Sequence, residues 1–333
     1  MHPALQGLLT IIIGVGGCVG YFYFSNQVLD RVIFPAKGPQ AGRNINRANM
    51  VRPWLFLFPA IFALGLYLAY PVFETLRLSV TDRDAGGAFV GLANYSQMFG
   101  EAKFWEALRN NMLWLLIVPA ASTAFGLLAA QLTDRIGWGN LAKSLIFMPM
   151  AISFVGAAVI WKLVYDTRPV DQDQIGVLNA IYLALGGSDP LTWLTVPFWN
   201  NFFLMIVLIW IQTGFAMVIL SAALRGIPEE TVEAAIVDGA NPFQIFFKIK
   251  VPQIMGTIVV VWTTITLVVL KVFDIVFAMT NGQWETQVLA NYMYDKLFRS
   301  FDWGVGSASA MIIMLLVTPI LVWNVRNARK EMR

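Results

Sequence analysis

Seven runs of apolar residues, separated by segments that carry most of the charges, divide this chain. Each run is close to the roughly 20 residues that a helix needs to cross the hydrocarbon core of a bilayer. The pattern predicts seven transmembrane helices, at Leu5–Phe24, Trp54–Phe73, Met112–Leu132, Ser144–Tyr165, Phe202–Leu224, Ile254–Ala278 and Ser307–Val325. The predicted fold class is therefore all-α, in a polytopic membrane protein whose main solvent is lipid.

The composition agrees with this pattern and narrows the chemistry. Of the 333 residues, 58% are hydrophobic and 13% are charged, whereas a soluble domain has roughly 25% charged residues. Cys18 is the only cysteine and His2 the only histidine, so the sequence predicts no metal site and no catalytic site. No GxxxxGK[ST] phosphate loop occurs, and a net charge of +3 does not indicate nucleic-acid binding.

The positions of Lys and Arg predict the orientation of the helices, because basic loops stay in the cytoplasm. Fourteen of the 23 basic residues fall in segments that alternate onto one side: Arg31, Lys37, Arg43, Arg47, Arg52, Arg135, Lys143, Arg225, Lys248, Lys250, Arg326, Arg329, Lys330 and Arg333. The loops on the other side hold seven: Arg77, Arg83, Lys103, Arg109, Arg168, Lys296 and Arg299. This bias places the N-terminus outside and the C-terminus in the cytoplasm.

The apolar runs also predict three parts of the chain. Residues 1–52 hold the first helix and a basic linker, residues 53–111 the second helix and a long outside loop, and residues 112–333 a core of five helices. The first run lacks a basic n-region and a small-residue cleavage site, which favours a retained helix over a cleaved signal peptide.

A charged, helix-prone segment, Glu233–Pro252, lies on the predicted cytoplasmic side between two apolar runs. Pro228 and the acidic residues after it favour a first short helix over Thr231–Asp238. Gly239 permits a turn, and a second short helix is predicted from Asn241 to Pro252. On physical grounds alone the segment is either a knob that binds a soluble partner or an amphipathic loop at the membrane surface.

The spacing within this segment resembles the coupling loop of permease subunits in bacterial ATP-binding-cassette importers. The matching pattern, EAA-x3-G-x9-I-x-V-P, rests on Glu233, Ala234, Ala235, Asp238, Gly239, Ile249 and Pro252. Val251 departs conservatively from the leucine of the family pattern. The resemblance extends from about Met112 to the C-terminus, and the phrases YPV, FVGLANY, TNG and IPEETVEAA are most similar to permeases of the maltose and α-glucoside type.

The resemblance implies a type I importer permease core in the bacterial inner membrane, with a periplasmic N-terminus. The coupling loop, residues 228–252, would dock on a cytoplasmic ATPase dimer that binds ATP and Mg²⁺, so that this chain holds no cofactor and is not an enzyme. A second homologous permease subunit and a periplasmic solute-binding protein would complete the complex. The implied function is import of a carbohydrate by alternating access, an α-glucoside or another di- or oligosaccharide.

Polar and aromatic side chains within the two helices that flank the loop predict a substrate pathway, because polar groups at membrane depth are costly and often functional. The candidates are Trp210, Gln212, Thr213, Phe215, Thr266, Lys271 and Asp274. Lys271 and Asp274, three residues apart, would share a helix face. The alternative is structural: threonine hydroxyls bond their own backbone and Lys271 pairs with Asp274. The resemblance favours Gln212, Thr213 and Phe215.

Other functions make different demands on the sequence. A permease of the same class for glycerol 3-phosphate, or for another polyol or sugar derivative, is the alternative substrate prediction. A channel or secondary transporter would favour inverted repeats or paired intramembrane ion sites, and an integral membrane enzyme would need a catalytic constellation. The sequence shows none of these features.

Overall fold

The computed structural model describes residues 3–82, 86–134 and 136–331, which form two compact units, Met1–Glu74 and Thr75–Arg333. His2 and three basic residues of the predicted charge pattern, Arg83, Arg135 and Arg333, lie outside the described residues. The division into three parts at residues 52 and 111 stays a prediction.

The first unit is built from two long apolar helices. Helix α1 (Pro3–Val28) continues through a π-helical turn, Leu29–Ile33, and α2 (Ala41–Leu64) continues through a second one, Gly65–Ala69. The Tyr21 hydroxyl donates a hydrogen bond to the Leu55 carbonyl at 3.0 Å. No residue in the most apolar stretch of either helix is buried, as expected for surfaces that meet lipid or another membrane subunit.

The remaining elements follow in chain order. They are α3 (Tyr70–Ser79), β1 (Thr81–Asp82), β2 (Ala88–Phe89), α4 (Ala93–Gly100), α5 (Ala102–Thr133), α6 (Gly139–Phe147), α7 (Phe154–Val164), α8 (Val177–Ala184), α9 (Trp199–Arg225), α10 (Glu229–Val237), α11 (Pro242–Gln244), α12 (Val251–Gln253), α13 (Met255–Leu270), α14 (Asp274–Met279), α15 (Leu289–Tyr294) and α16 (Trp303–Glu331). The antiparallel strands pair Thr81 with Phe89. The all-α prediction is confirmed, with this short hairpin as its one departure among the described residues.

The core of the second unit lies between α5 and α9, which cross closely because a glycine of α5 faces the backbone of α9. A Cβ atom at Gly126 of α5 would collide with the Cβ of Ala216 on α9. Helix α6 also packs closely on α9, because a Cβ at Gly214 would lie 2.6 Å from the carbonyl oxygen of Ile146. Small residues at helix crossings allow the dispersion contacts that hold membrane helices together. Fully buried side chains such as Trp114, Leu208 and Leu220 fill the surrounding space, while a smaller core around Phe104 and Tyr292 joins α4, α5, α15 and α16.

Five helices are long and apolar enough to cross a membrane, and two bent helix pairs raise the number to seven if each pair is one span. The prediction of one continuous helix over Ser144–Tyr165 is wrong. Gly139–Ala151 and Phe154–Val164 meet at an angle of 105°. The backbone is extended at Ile152 and Ser153, and the Ser153 hydroxyl accepts a hydrogen bond from the Gly156 amide, so a new helix begins there.

The continuous helix predicted over Ile254–Ala278 is also wrong. Helix α13 ends at Leu270, the backbone of Lys271 and Phe273 leaves the helical region, and α14 begins at Asp274. Lys271 and Asp274 therefore do not share a helix face. Apolar residues lie on both sides of this break, so hydropathy alone does not reveal it.

Candidate functional site

The charged segment after α9 forms two short helical pieces joined by a sharp turn, as the sequence predicts. Helix α10 begins at Glu229, two residues earlier than predicted. Gly239 has φ +80°, and the amides of Gly239 and Ala240 bond back to the carbonyls of Ile236 and Ala235. These two bonds form a Schellman motif, which ends the helix and needs a residue that tolerates positive φ.

The second piece starts with a capping box and is helical as far as Gln253. Asn241 and Gln244 each accept a hydrogen bond from the other's backbone amide, both at 2.9 Å. A π-helical stretch, Ile245–Lys250, links α11 to α12. The segment then meets α13 at 72°. The knob, defined as residues 228–253, is thus fixed by local hydrogen bonds at both of its turns.

Several large apolar side chains are exposed on this knob, among polar and charged ones. Val237 is 87% exposed, Phe243 76% and Phe247 61%, whereas Ile245 is only 8% exposed and anchors the knob. Of the residues that carry the coupling-loop pattern, Glu233, Ala234, Asp238, Gly239 and Pro252 are exposed, Ile249 is half-buried and Ala235 is buried. An exposed apolar patch rimmed by polar residues is typical of a protein-binding surface. The coupling roles of these residues stay predictions.

A charged cluster, which sequence reasoning missed, joins the helix ends beneath the knob. The carboxylate of Asp134, just after α5, accepts hydrogen bonds from Lys143 on α6 and from Ser221 and Arg225 on α9. Burial alone would raise the pKa of Asp134, but its three hydrogen bonds outweigh burial and hold that pKa below its ordinary value. A cavity of about 520 Å³ lies between this cluster and Glu233.

A second cleft, of about 440 Å³, lies where the two predicted spans are broken. Its lining comprises Met150, Ile152, Ser153, Phe154, Val155, Ile211, Gln212 and Asp274. The structure thus brings together two of the predicted substrate residues, Gln212 on α9 and Asp274 at the start of α14. Interrupted helices that meet around polar groups are typical of substrate sites in transporters.

The other predicted substrate residues do not line this cleft. Thr213 and Thr266 donate to carbonyls one turn back in their own helices, at 2.7 and 2.8 Å. Phe215 packs against the core between α5 and α9, and the Trp210 ring contacts Trp161 edge to face. Lys271 is exposed and, within the described part of the chain, no ion pair joins it to Asp274. The two threonines therefore match the structural alternative, in which their hydroxyls bond the backbone of their own helix.

Asparagine side chains from α5 and α9 hold the loop of residues 280–288 by its backbone. The donor–acceptor distances are 2.8 Å for Asn110 Nδ2 to Glu285 O and to Gln287 O, 2.6 Å for Asn200 Nδ2 to Trp284 O, and 2.7 Å for Leu289 N to Asn111 Oδ1. Asn281, Trp284 and Glu285 have φ of 54°, 53° and 61°. Such backbone strain persists only where surrounding contacts over-determine the conformation. These partners lie far apart in the sequence, so no local pattern could have predicted the loop's conformation.

Comparisons with known proteins agree with this architecture. The family described as "Binding-protein-dependent transport system inner membrane component" matches residues 122–332. The α-glucoside transport system permease protein AglF of Rhizobium meliloti (strain 1021) is 63% identical over 335 residues, covering 99% of both chains. The osmoprotective compounds uptake permease protein GgtC of Synechocystis sp. is 47% identical over 277 residues, covering 83% of this chain and 99% of the relative.

A solved structure shares the fold. A chain in a crystal structure of a bacterial ABC transporter involved in the import of the acidic polysaccharide alginate has a TM-score of 0.73, with 21% sequence identity, over 87% of this chain and 99% of its own. This likeness confirms the predicted importer-permease fold, with several membrane-spanning helices. With the family match and the curated relatives, it identifies this chain as a multi-pass inner membrane component of a binding-protein-dependent transport system.

Proposed function

We propose that this chain is one of two membrane-spanning subunits of an ATP-driven importer for a neutral α-glucoside. The observation that carries the proposal is 63% identity, across essentially the whole chain, to an α-glucoside permease.

The surface of the knob supports a complex in which a separate chain hydrolyses ATP and this chain transports the substrate. The apolar surface of the knob, with Phe243 and Phe247 exposed, suits the groove of a cytoplasmic ATPase dimer, which would bind ATP and Mg²⁺ and hydrolyse the nucleotide. This orientation puts the C-terminus in the cytoplasm and the N-terminus in the periplasm, as the basic residues predict. One knob serves one ATPase site, so a second homologous permease subunit would supply the other.

The residues that line the cleft support its proposed role as the substrate-binding site. The amide of Gln212 and the carboxylate of Asp274 offer a donor and acceptors for sugar hydroxyls, while Phe154 and Ile152 provide apolar walls. Among the described residues that line the cleft there is no lysine or arginine, whereas a phosphorylated substrate would need a cationic partner. Movement of the knob would change which side of the membrane reaches the cleft, after a periplasmic solute-binding protein has delivered the sugar.

A comparison of uptake between a strain that carries this gene and a deletion strain that lacks it tests the proposal. Deletion is expected to abolish uptake of radiolabelled maltose at low concentration, and a plasmid copy is expected to restore it. Uptake of labelled glycerol 3-phosphate serves as the matched measurement. Loss of glycerol 3-phosphate uptake with intact maltose uptake would favour the polyol alternative, and undiminished uptake of every α-glucoside tested would overturn the proposal.

A further inference from the structure

Five aromatic rings form a continuous row along the part of the chain that follows the break between α13 and α14. Their centroid separations are 4.9 Å for Phe273–Phe277, 5.3 Å for Phe273–Tyr294, 5.2 Å for Phe277–Tyr294, 5.1 Å for Tyr294–Phe298 and 6.5 Å for Phe298–Trp303. Phe273 directly precedes Asp274, which lines the cleft. The row then follows α14, the end of α15 with the π-helical turn that continues it, Asp295–Arg299, and the start of α16.

This row differs from the aromatic row of the buried core, because none of its rings belongs to that core. Trp161, Tyr165, Phe203 and Trp193 also contact one another in sequence, but they belong to or pack against the buried cluster between α5 and α9. None of the five rings from Phe273 to Trp303 belongs to either buried cluster of the described residues. Phe298 is 54% exposed. Core packing therefore explains the first row and leaves the second unexplained.

A charged group is fixed against the faces of two of these rings. The Arg299 guanidinium lies 5.8 Å from the ring centroids of both Phe277 and Tyr294. Asp295, at 2.9 Å, and the side-chain oxygen of Asn281, at 2.9 Å, hold it there. The carboxylate balances the positive charge, so the row offers ring faces and N–H donors without a net charge that would select an anion.

We propose that Phe273, Phe277, Tyr294, Phe298 and Trp303 form a track of weak stacking sites along which a neutral carbohydrate moves between the solvent and the Gln212–Asp274 cleft. A sugar presents C–H faces that pack on aromatic rings and hydroxyls that bond to N–H groups, and this row supplies both. A translocation path needs several weak sites rather than one strong site, because the substrate must leave each of them. The proposal rests on the proposed function and extends it to residues outside the cleft.

Substitution of Phe298 tests the track in the complete transporter. Phe298→Leu keeps an apolar side chain but removes the ring face, whereas Phe298→Trp keeps a ring. The purified complex with its partner subunits, reconstituted in liposomes, is assayed for maltose uptake and for thermal stability. Phe298→Leu is expected to lower the uptake rate about 3- to 10-fold, the loss of one aromatic contact, at unchanged melting temperature, and Phe298→Trp is expected to retain most of the rate.

Phe99→Leu is the matched control, because Phe99 is 43% exposed and contacts Phe104 and Trp105 away from the row. It is expected to transport normally. Maltose uptake by Phe298→Leu at the wild-type rate would overturn the track. It would mean that residue 298 contacts only an apolar neighbour, such as lipid or a second subunit, which accepts leucine as readily as phenylalanine. Equal losses of uptake rate in Phe298→Leu and Phe298→Trp, with lowered melting temperatures, would also overturn the track, because they would show that the Phe298 ring serves packing within the complex. Failure of the wild-type complex to transport maltose would instead count against the proposed function.

Discussion

The knob and the α5–α9 crossing are built from the same residue types, yet opposite constraints act on them. At the crossing, apolar side chains are fully buried, and a glycine is required at position 126 because the backbone of α9 lies against it. In the knob, Val237 and Phe243 are exposed, and no atom lies within 4 Å of a Cβ built on Gly239. Packing within the chain explains the residues of the crossing, whereas it does not explain the exposed apolar residues of the knob, for which we propose a partner outside the chain.

The largest expected effect is on the crossing. Gly126→Leu is expected to destabilise the fold by about 3 kcal/mol or more, because the side chain would force α5 and α9 apart. Size-exclusion chromatography of a fluorescent fusion in detergent measures the loss of monodisperse protein. Gly16→Leu is the control, since nothing lies within 4 Å of a Cβ at Gly16. Normal behaviour of Gly126→Leu would show that the close crossing does not constrain the fold.

The next effect is on transport alone and concerns the glycine of the knob. Gly239→Asp is expected to lower uptake more than tenfold while the protein still inserts, because a charged side chain would stand on the docking surface. Backbone strain is the smaller contribution, since Asp and Asn are the non-glycine residues that best tolerate positive φ. Glu233→Lys is expected to act in the same direction.

Gly239→Asn separates charge from strain, because it matches Asp in size and backbone preference. We expect Asn to retain more uptake than Asp at equal amounts of membrane-inserted protein on an immunoblot. Near-normal uptake by Gly239→Asp would eliminate the coupling function of the knob.

A smaller effect, on stability, is expected at the charged cluster around Asp134 beneath the knob. Asp134→Asn is expected to lower the free energy of unfolding by about 2 kcal/mol, because Lys143 and Arg225 would lose a charged hydrogen-bond acceptor. The pKa of Asp134 is depressed in the folded state, so its contribution is complete above the unfolded value of about 3.9 and is lost only as pH falls through the lower folded pKa. The gap in melting temperature between wild type and variant should therefore be the same at pH 5 and pH 8.

Asp171→Asn, in an exposed loop, is the control for the effect of removing a carboxylate. It should leave the melting temperature unchanged at both pH values. A gap for Asp134→Asn that closes at pH 5 would mean that the carboxylate has no depressed pKa.

The smallest effect on stability is expected on the knob surface. Phe247→Ser should change the free energy of unfolding by less than about 0.5 kcal/mol, as exposed substitutions do, but should reduce co-purification of the ATPase. The paired variant Ile245→Ser, at the buried anchor, should cost about 2–4 kcal/mol. Equal destabilisation by the two variants would remove the distinction between an internal and an external reason for the apolar residues.

The long helices were predictable because some 20 consecutive apolar residues have few alternatives to a span. The breaks at Ser153 and between Lys271 and Asp274 were not, because apolar residues on both sides hide them, and only tertiary contacts decide where the chain turns. The site divides in the same way. The knob is contiguous in sequence and its spacing resembles a known pattern, whereas Asp134 meets Arg225, and Asn200 meets Trp284, only after folding.

The loop of residues 280–288 has a consequence for association. Its backbone carbonyls are already held by Asn110 and Asn200, so a macromolecule that binds here would not have to order the loop first. The entropy penalty that usually weakens binding to loops, about 0.5–1.5 kcal/mol for each immobilised side chain, would be limited to exposed groups such as Trp284. A surface of this kind would let a shuttling partner bind and leave repeatedly without any refolding step that slows the cycle.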